Sequence, residues 1–444
     1  MTTKISKTLN NLFRNQSASG IAIFLAVVMA MLWANSPWKG LYQSFIHTEI
    51  SLGIGEFSIS ESLLLWINDG LMAIFFLQVG LELKREIIGG KLSSFKKAIL
   101  PIGAAIGGMV VPAIIYLIFN FNSATEQGWG IPMATDIAFA IGVLALFGNR
   151  IPVGLKVFLI ALAIVDDLGA VLVIAIFYTT GISYMDLLNG VLFFLVLVGG
   201  SYIGIRKAWF YAFVGIGGVW LAFFFSGVHP TIAGILTAFA IPGKVKIKEE
   251  DYLMNLQKLH LQFLETKSIR GSFISEKQLN LLEEIKQKTN DAETPLQKIE
   301  HQLAPIVGFF ILPLFALVNT GIHIHGDFIE IISHPVSLGI GFGLLVGKFT
   351  GIMGASWLLV KLKISELQEG VSWMHLCGVA TIAGIGFTMS LFITELAFAS
   401  EEYVFIAKLS ILFTSLLAGV VGGLILWSSS KKIHSSSTHT DNSQ

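Results

Sequence analysis

Cysteine is almost absent: Cys377 is the only one in 444 residues. That excludes an intramolecular disulfide and any metal cluster built on cysteines. Charge is scarce as well. Asp, Glu, Lys and Arg make up 13% of the chain, where a soluble protein carries about 25%. Neither sign is in excess, since Lys plus Arg and Asp plus Glu each number 29. A chain with no net charge is not built for bulk electrostatic binding, so no nucleic-acid partner is expected. Low charge combined with 54% hydrophobic residues also excludes a disordered chain. What the sequence has in quantity is apolar or small: 34 Phe, nine Trp and 45 Gly, with a mean hydropathy of +0.74. Such a composition suits lipid as solvent. The expected class is an all-α, polytopic membrane protein.

A spanning helix needs about 20 mainly apolar residues. Twelve runs qualify, near 20–35, 62–84, 98–119, 128–147, 153–178, 184–205, 208–225, 228–242, 303–321, 336–360, 373–396 and 403–427. Two of these, 208–225 and 228–242, are short, and Ser226-Gly227 between them leaves little room for a loop. Basic residues give the sidedness. If the N-terminus is cytoplasmic, every Lys and Arg except Lys39, Lys348 and Lys408 falls in an inside segment. Twelve spans with both termini inside follow from that bias.

The chain divides into a cytoplasmic segment 1–19, a twelve-helix membrane domain 20–427 and a Ser/Thr/His-rich tail 428–444 expected to be disordered. The apolar run after the basic start resembles a secretory signal, but eleven further spans favour an uncleaved first helix. Residues 47–60 alternate apolar and polar around Gly53 and Gly55, which fits an external β-hairpin or a plain polar loop. The inner loop 243–300 carries charges of both signs in helix-like stretches and reads as a solvated helix pair. Trp33, Trp38, Trp66 and Trp129 read as interface anchors.

Ionisable groups inside spans are costly and are functional candidates by default. Five stand out: Asp69, Asp136, Asp166, Asp167 and Lys348. Asp166 and Lys348 both fall near the middle of their spans, where an ion pair is the economical arrangement. Neighbouring helical residues point about 100° apart. One acid of the Asp166-Asp167 pair can therefore meet Lys348 while the other faces a water-filled cavity. A spare buried carboxylate calls for a cation or a proton, which a purely structural ion pair does not explain. Asp136 lies in GWGIPMATDIAFAIGV, where Gly130 and Pro132 weaken the helix. The run GVATIAGIGFTMS in 373–396 is weakened in the same way by glycines and by Thr381 and Thr388. Paired interruptions in the two halves point to a transporter binding site, with Asp136, and Lys348 or Thr381, balancing the exposed helix ends. His229, at a helix start, is either a titrating group or a packed, hydrogen-bonded histidine. Asp69 is either a local cap or a partner for another span.

Several stretches, in order, closely resemble the bacterial NhaA sodium/proton antiporters. They are INDGLMAIFF with VGLELKRE, ATDIAFAIGVLALFG, ALAIVDDLGAV, SGVHPTIAG, ILPLFALVNTGI, LLVGKFTGI and TIAGIGFTMSLFI. The resemblance runs from about Leu63 to Thr394. It implies inverted repeats with two discontinuous, crossing helices and no enzymatic activity or cofactor. Asp167 would be the principal sodium ligand, assisted by Asp166, which partners Lys348. Thr135 and Asp136 would belong to the crossing, with Thr135 also near the ion. Glu82, Arg85, Glu86, Glu300 and His301 would form a cytoplasmic pH-sensing cluster, to which His229 is added as a pH-responsive group. The segment 47–60 would pair two protomers. Three departures stand out: 246–298 is longer than usual, Ala304 replaces a histidine before Pro305, and Phe349 replaces a proline after Lys348.

The expected activity is export of Na⁺ or Li⁺ against external protons by alternating access, electrogenic and pH-regulated, serving sodium and pH homeostasis at the bacterial inner membrane. A sodium-coupled symporter or cation channel is the alternative, and an intramembrane aspartyl protease is a more remote one.

Overall fold

The computed structural model describes residues 16–54, 57–90, 93–179, 181–266, 273–324, 327–368 and 370–437. The first helix, α1 (Gln16–Ala34), turns sharply into the short α2 (Lys39–Ile46). Strands β1 (Glu49–Ile54) and β2 (Phe57–Ser62) follow and pair antiparallel from Glu49 opposite Ser62 to Ile54 opposite Phe57. The alternation in 47–60 thus forms a hairpin rather than a loop, although its tip, 55–56, lies outside the described residues.

The remaining elements are α3 (Leu63–Gly89), α4 (Phe95–Asn120), a tight turn Glu126–Met133 leading into α5 (Ile137–Ala145), α6 (Val153–Phe177), α7 (Tyr184–Ile203) and α8 (Ala208–Ser226). Then come α9 (Thr231–Ala240), α10 (Glu249–Glu265), α11 (Glu276–Ala292), α12 (Pro295–Asn319), α13 (Phe328–Ser333), α14 (Pro335–Lys361), α15 (Trp373–Ile382), α16 (Phe387–Ala397) and α17 (Glu401–Ser437).

Nine helices among the described residues are long and apolar enough to cross a membrane, or up to eleven if each bent pair counts as one span. The expected twelfth span, 228–242, is different. Its helix, α9, has ten residues, about 15 Å at 1.5 Å per residue, half of a bilayer core. Gly227, in the left-handed conformation at φ +79°, makes the abrupt turn into it. α9 packs along α3 with close backbone contact: a methyl group on Gly234 would lie 2.9 Å from the Leu77 nitrogen. Small residues at such contacts let helices approach where lipid offers no hydrophobic gain.

The tail also departs from expectation. Helix α17 continues past Trp427 to Ser437, and 438–444 lie outside the described residues. In the inner loop, α10 and α11 pack against each other, and Ser275 and Gln278 form a capping box at the start of α11. Arg206 closes the neck of this pair by donating to the Lys244 carbonyl at 3.0 Å and the Glu293 carbonyl at 2.7 Å. Residues 1–15, the bulk of the expected segment 1–19, lie outside the described residues.

The buried apolar residues form one large core, which includes Phe76, Leu162, Leu344 and Phe392 and surrounds the broken helices. A second, smaller core joins α3, α7, α8 and α9 around Tyr211, Val219 and Phe223.

Candidate functional site

Two broken spans cross inside the large core. In the first, Ala134 and Asp136 are extended between the tight turn and α5. Pro132 in that turn has no N–H to continue a helix. In the second, α15 and α16 are bent by 43° at residues 383–386. The two breaks bond to each other through their backbones: the Asp136 N–H donates to the Ile385 carbonyl at 2.6 Å.

Asp136, 2% exposed, is the N-cap of α5 and accepts from the Phe139 N–H at 3.1 Å. Its other oxygen accepts from the Thr388 N–H at 3.0 Å and the Thr388 hydroxyl at 2.5 Å. One carboxylate thus meets the positive ends of two half-helices, α5 and α16. Of the two groups that sequence offered beside Asp136 for balancing the helix ends, Thr381 is turned along α15 and donates to the Cys377 carbonyl. Lys348 is engaged elsewhere. Thr388, named from sequence only as a residue that weakens the helix, lies in the first turn after Gly384 and Gly386, where a half-helix begins.

Thr135 and the acid pair lie beside this crossing. The Thr135 hydroxyl is 2.8 Å from Asp166 Oδ2 and 2.9 Å from the Ala383 carbonyl, two acceptors for its one hydrogen. Asp166 and Lys348 are both fully buried, and the Lys348 ammonium contacts Asp166 Oδ2. Lys348 emerges immediately after the wide turn Gly343–Gly347. Here α14 lies against α4 so closely that a methyl group on Gly347 would come within 2.8 Å of the Pro112 backbone. Asp167 is 1% exposed. Among the described residues, neither Asp166 Oδ1 nor Asp167 Oδ1 has a hydrogen-bond partner.

Buried carboxylate oxygens without donors are destabilising and persist where they are used. They are hard ligands of the kind that suit small alkali and alkaline-earth cations. Among the described residues no group of three or more His, Cys, Asp or Glu side chains is arranged to hold a metal ion. What the described residues bring together here is two carboxylates with one hydroxyl and the Ala383 carbonyl nearby.

The chain matches the family model described as Na⁺/H⁺ antiporter 1 over residues 10–426. It is 46% identical over 424 residues to the Na⁺/H⁺ antiporter NhaA 1 of Clostridium beijerinckii, covering 95% of each chain. It is 45% identical over 430 residues to the Na⁺/H⁺ antiporter NhaA of Helicobacter pylori, covering 96% of this chain and 97% of that one. The chain belongs to the NhaA-type Na⁺/H⁺ antiporter family. It is a multi-pass membrane transporter.

The charged group expected at the cytoplasmic side of this antiporter fold is partly assembled. Arg85 on α3 bonds Glu300 on α12 at 2.9 Å and Glu86 at 3.2 Å. Glu82 accepts from the Gln78 amide at 2.9 Å. His301 is exposed at the position after Glu300. His229 stands apart, at the opposite end of α9. It lies 3.3 Å from the Thr231 hydroxyl, with its ring edge on Phe392 at a centroid distance of 5.7 Å. Asp69 lies in a widened turn, Trp66–Leu71, and its backbone carbonyl accepts from Trp220.

Three buried or half-buried pairs were not anticipated as pairs. Lys408 on α17 pairs with Glu395 on α16 at 2.5 Å. Asn68 and Asn319 exchange amide hydrogen bonds across α3 and α12. The third is Gln78 with Glu82. Each joins residues whose proximity depends on helix packing or rotamer rather than on a motif.

Proposed function

We propose that this antiporter exports Na⁺ or Li⁺ across the bacterial cytoplasmic membrane in exchange for external protons, using Asp166 and Asp167 for both ions. The observation that carries the assignment is the pair of buried, unpartnered oxygens, Asp166 Oδ1 and Asp167 Oδ1, beside a single lysine. At low pH the carboxylates hold protons and the cation is excluded. At higher pH they release protons and a hard cation takes their oxygens. Asp167, which makes no ion pair among the described residues, is the principal ligand, and Asp166, held by Lys348 and Thr135, assists it. Asp136 balances the helix ends while the broken spans move between inward-open and outward-open arrangements.

Two protons per Na⁺ would make the exchange electrogenic, so a negative-inside potential would drive sodium out. The basic bias of the connecting segments supports cytoplasmic N- and C-termini. The β1–β2 hairpin offers strand edges through which two protomers can pair. The Arg85–Glu300 group, with Glu82, Glu86 and His301, is the reading for pH regulation, and His229 would act separately, next to α16.

The test uses everted vesicles holding an imposed pH gradient, read with a fluorescent probe while NaCl or KCl is added across a pH series. Collapse by Na⁺ and not K⁺ is expected. Sodium currents independent of protons, or sodium uptake requiring a solute, would replace this reading with a channel or a symporter.

A further inference from the structure

A lysine and a histidine stand together at the hairpin end of the fold, outside the exchange site. Lys39 begins α2 and His323 follows α12, and the Lys39 ammonium lies 3.4 Å from His323 Nε2. Asn35 fixes this pairing. Its amide donates to the Ile322 carbonyl at 2.7 Å, and its side-chain oxygen accepts from the Ile324 N–H at 3.0 Å. The residue between them, His323, is thereby held at the end of α1, next to Lys39.

A cavity of about 260 Å³ opens at this point, lined by Ala34, Lys39, Gly40, Tyr42, Gln43 and His323. Lys39 and Gln43 are one helical turn apart and share a face of α2. Gly40 keeps the space open, since a methyl group there would meet no atom within 4 Å. An ammonium carries three hydrogens and only donates. His323 accepts one, so two remain for an anion, and the Gln43 amide is a further donor on the same wall.

Position in the membrane narrows the choice of anion. α2 turns by 119° from the spanning α1, which lays it along the membrane surface rather than through it. Trp38 and Leu41, on either side of Lys39 in the chain, are 70% and 64% exposed, as interfacial residues are where lipid covers them. Lys39 is also the one Lys or Arg that the sequence puts in an outside segment. The bias against basic residues there makes solvation alone a poor reason for it.

We propose that Lys39, with His323 and Gln43, binds the phosphate of an anionic phospholipid in the leaflet that holds the hairpin. This is the outer leaflet under the orientation proposed above, and only that assignment of leaflet rests on it. Lys39 gives a charge-assisted bond to a phosphate oxygen, and the exposed apolar residues of α2 give the acyl chains a surface. Basic pockets at helix ends recognise lipid headgroups by the same chemistry.

The test follows thermal unfolding of the purified protein in detergent while phosphatidylglycerol or inorganic phosphate is added. Phosphatidylglycerol should raise the midpoint of the parent in a saturable way. In Lys39→Gln the lipid concentration giving half of that rise should increase about ten-fold, as for loss of a hydrogen bond between charged groups. Gln43→Leu, which removes a neutral donor, should increase it about three-fold. Without lipid, Lys39→Gln should melt with the parent, because the side chain is exposed. No rise in the parent would overturn the proposal. So would an unchanged half-rise concentration in both variants, because the lipid would then act through the basic residues of the cytoplasmic segments. Inorganic phosphate reproducing the whole rise would overturn it as well and make the ligand a free anion.

Discussion

Asp136 and Thr388 lie on different broken spans and share two hydrogen bonds, from the Thr388 N–H at 3.0 Å and from its hydroxyl at 2.5 Å, both to Asp136 Oδ2. The same carboxylate caps α5 through the Phe139 N–H. One side chain therefore joins the starts of two half-helices that would otherwise point partial positive charge into the core.

Replacing Thr388 with valine keeps the shape and the backbone donor but removes the hydroxyl. The loss should be about 1.5–3 kcal/mol, as for a hydrogen bond to a charged group. A lowered thermal midpoint in detergent, with partly retained exchange, is the expected outcome. An unchanged midpoint would show that the backbone N–H alone is enough.

Asp167→Asn should abolish sodium-dependent collapse of a pH gradient in everted vesicles. The amide keeps the size of the side chain but can neither release a proton nor carry the charge that holds a cation. Full activity in this variant would remove Asp167 from the site.

Lys348→Ala leaves Asp166 buried, with the Thr135 hydroxyl as its remaining donor among the described residues. Breaking one side of a buried pair costs about 3–5 kcal/mol, whereas removing both charges can be nearly neutral. The single variant should therefore melt well below the parent, and Asp166→Asn combined with Lys348→Met should recover most of the difference. Equal midpoints for the single and double variants would contradict the pairing.

Competition of Na⁺ and H⁺ for the same oxygens has a defined pH signature. The group that binds Na⁺ must first lose its protons, so sodium affinity falls as pH falls. Below the transition the apparent Kd should rise about ten-fold per pH unit if one proton is displaced and about a hundred-fold if two are. Direct Na⁺ binding measured across pH reads this slope, and a slope of zero would separate the two ions into different sites.

Arg85 is 39% exposed and bridges Glu86 and Glu300. The two carboxylates are far less exposed, 14% for Glu86 and 7% for Glu300, so Arg85→Gln removes the charged partner of a buried acceptor and should lower stability by about 1–3 kcal/mol. The pH at half-maximal exchange should move, while the rate at the optimal pH is largely retained. A vesicle titration showing no such displacement would take Arg85 out of pH regulation.

Much of this protein was legible in its residues because lipid allows few solutions. Backbone groups without water must bond within a helix or a closed barrel, so apolar runs mark spans and an aspartate among them marks a site. Asp136, Asp166, Asp167 and Lys348 stood out for that reason. The breaks in 128–147 and 373–396 were legible because proline and clustered glycines disrupt helices locally. The hairpin's alternation was visible, but whether its strands paired was not.

Packing decided the rest. That Asp136 takes Thr388 and that Lys408 finds Glu395 are relations between distant segments. They depend on crossing angles and close backbone contacts such as Gly347 against Pro112. The ten-residue α9 belongs here too. Its apolar composition matched a span, but only the turn at Gly227 and its seat along α3 set its length. Composition and periodicity record the solvent and the local backbone, whereas partner choice between helices is a property of the assembled core.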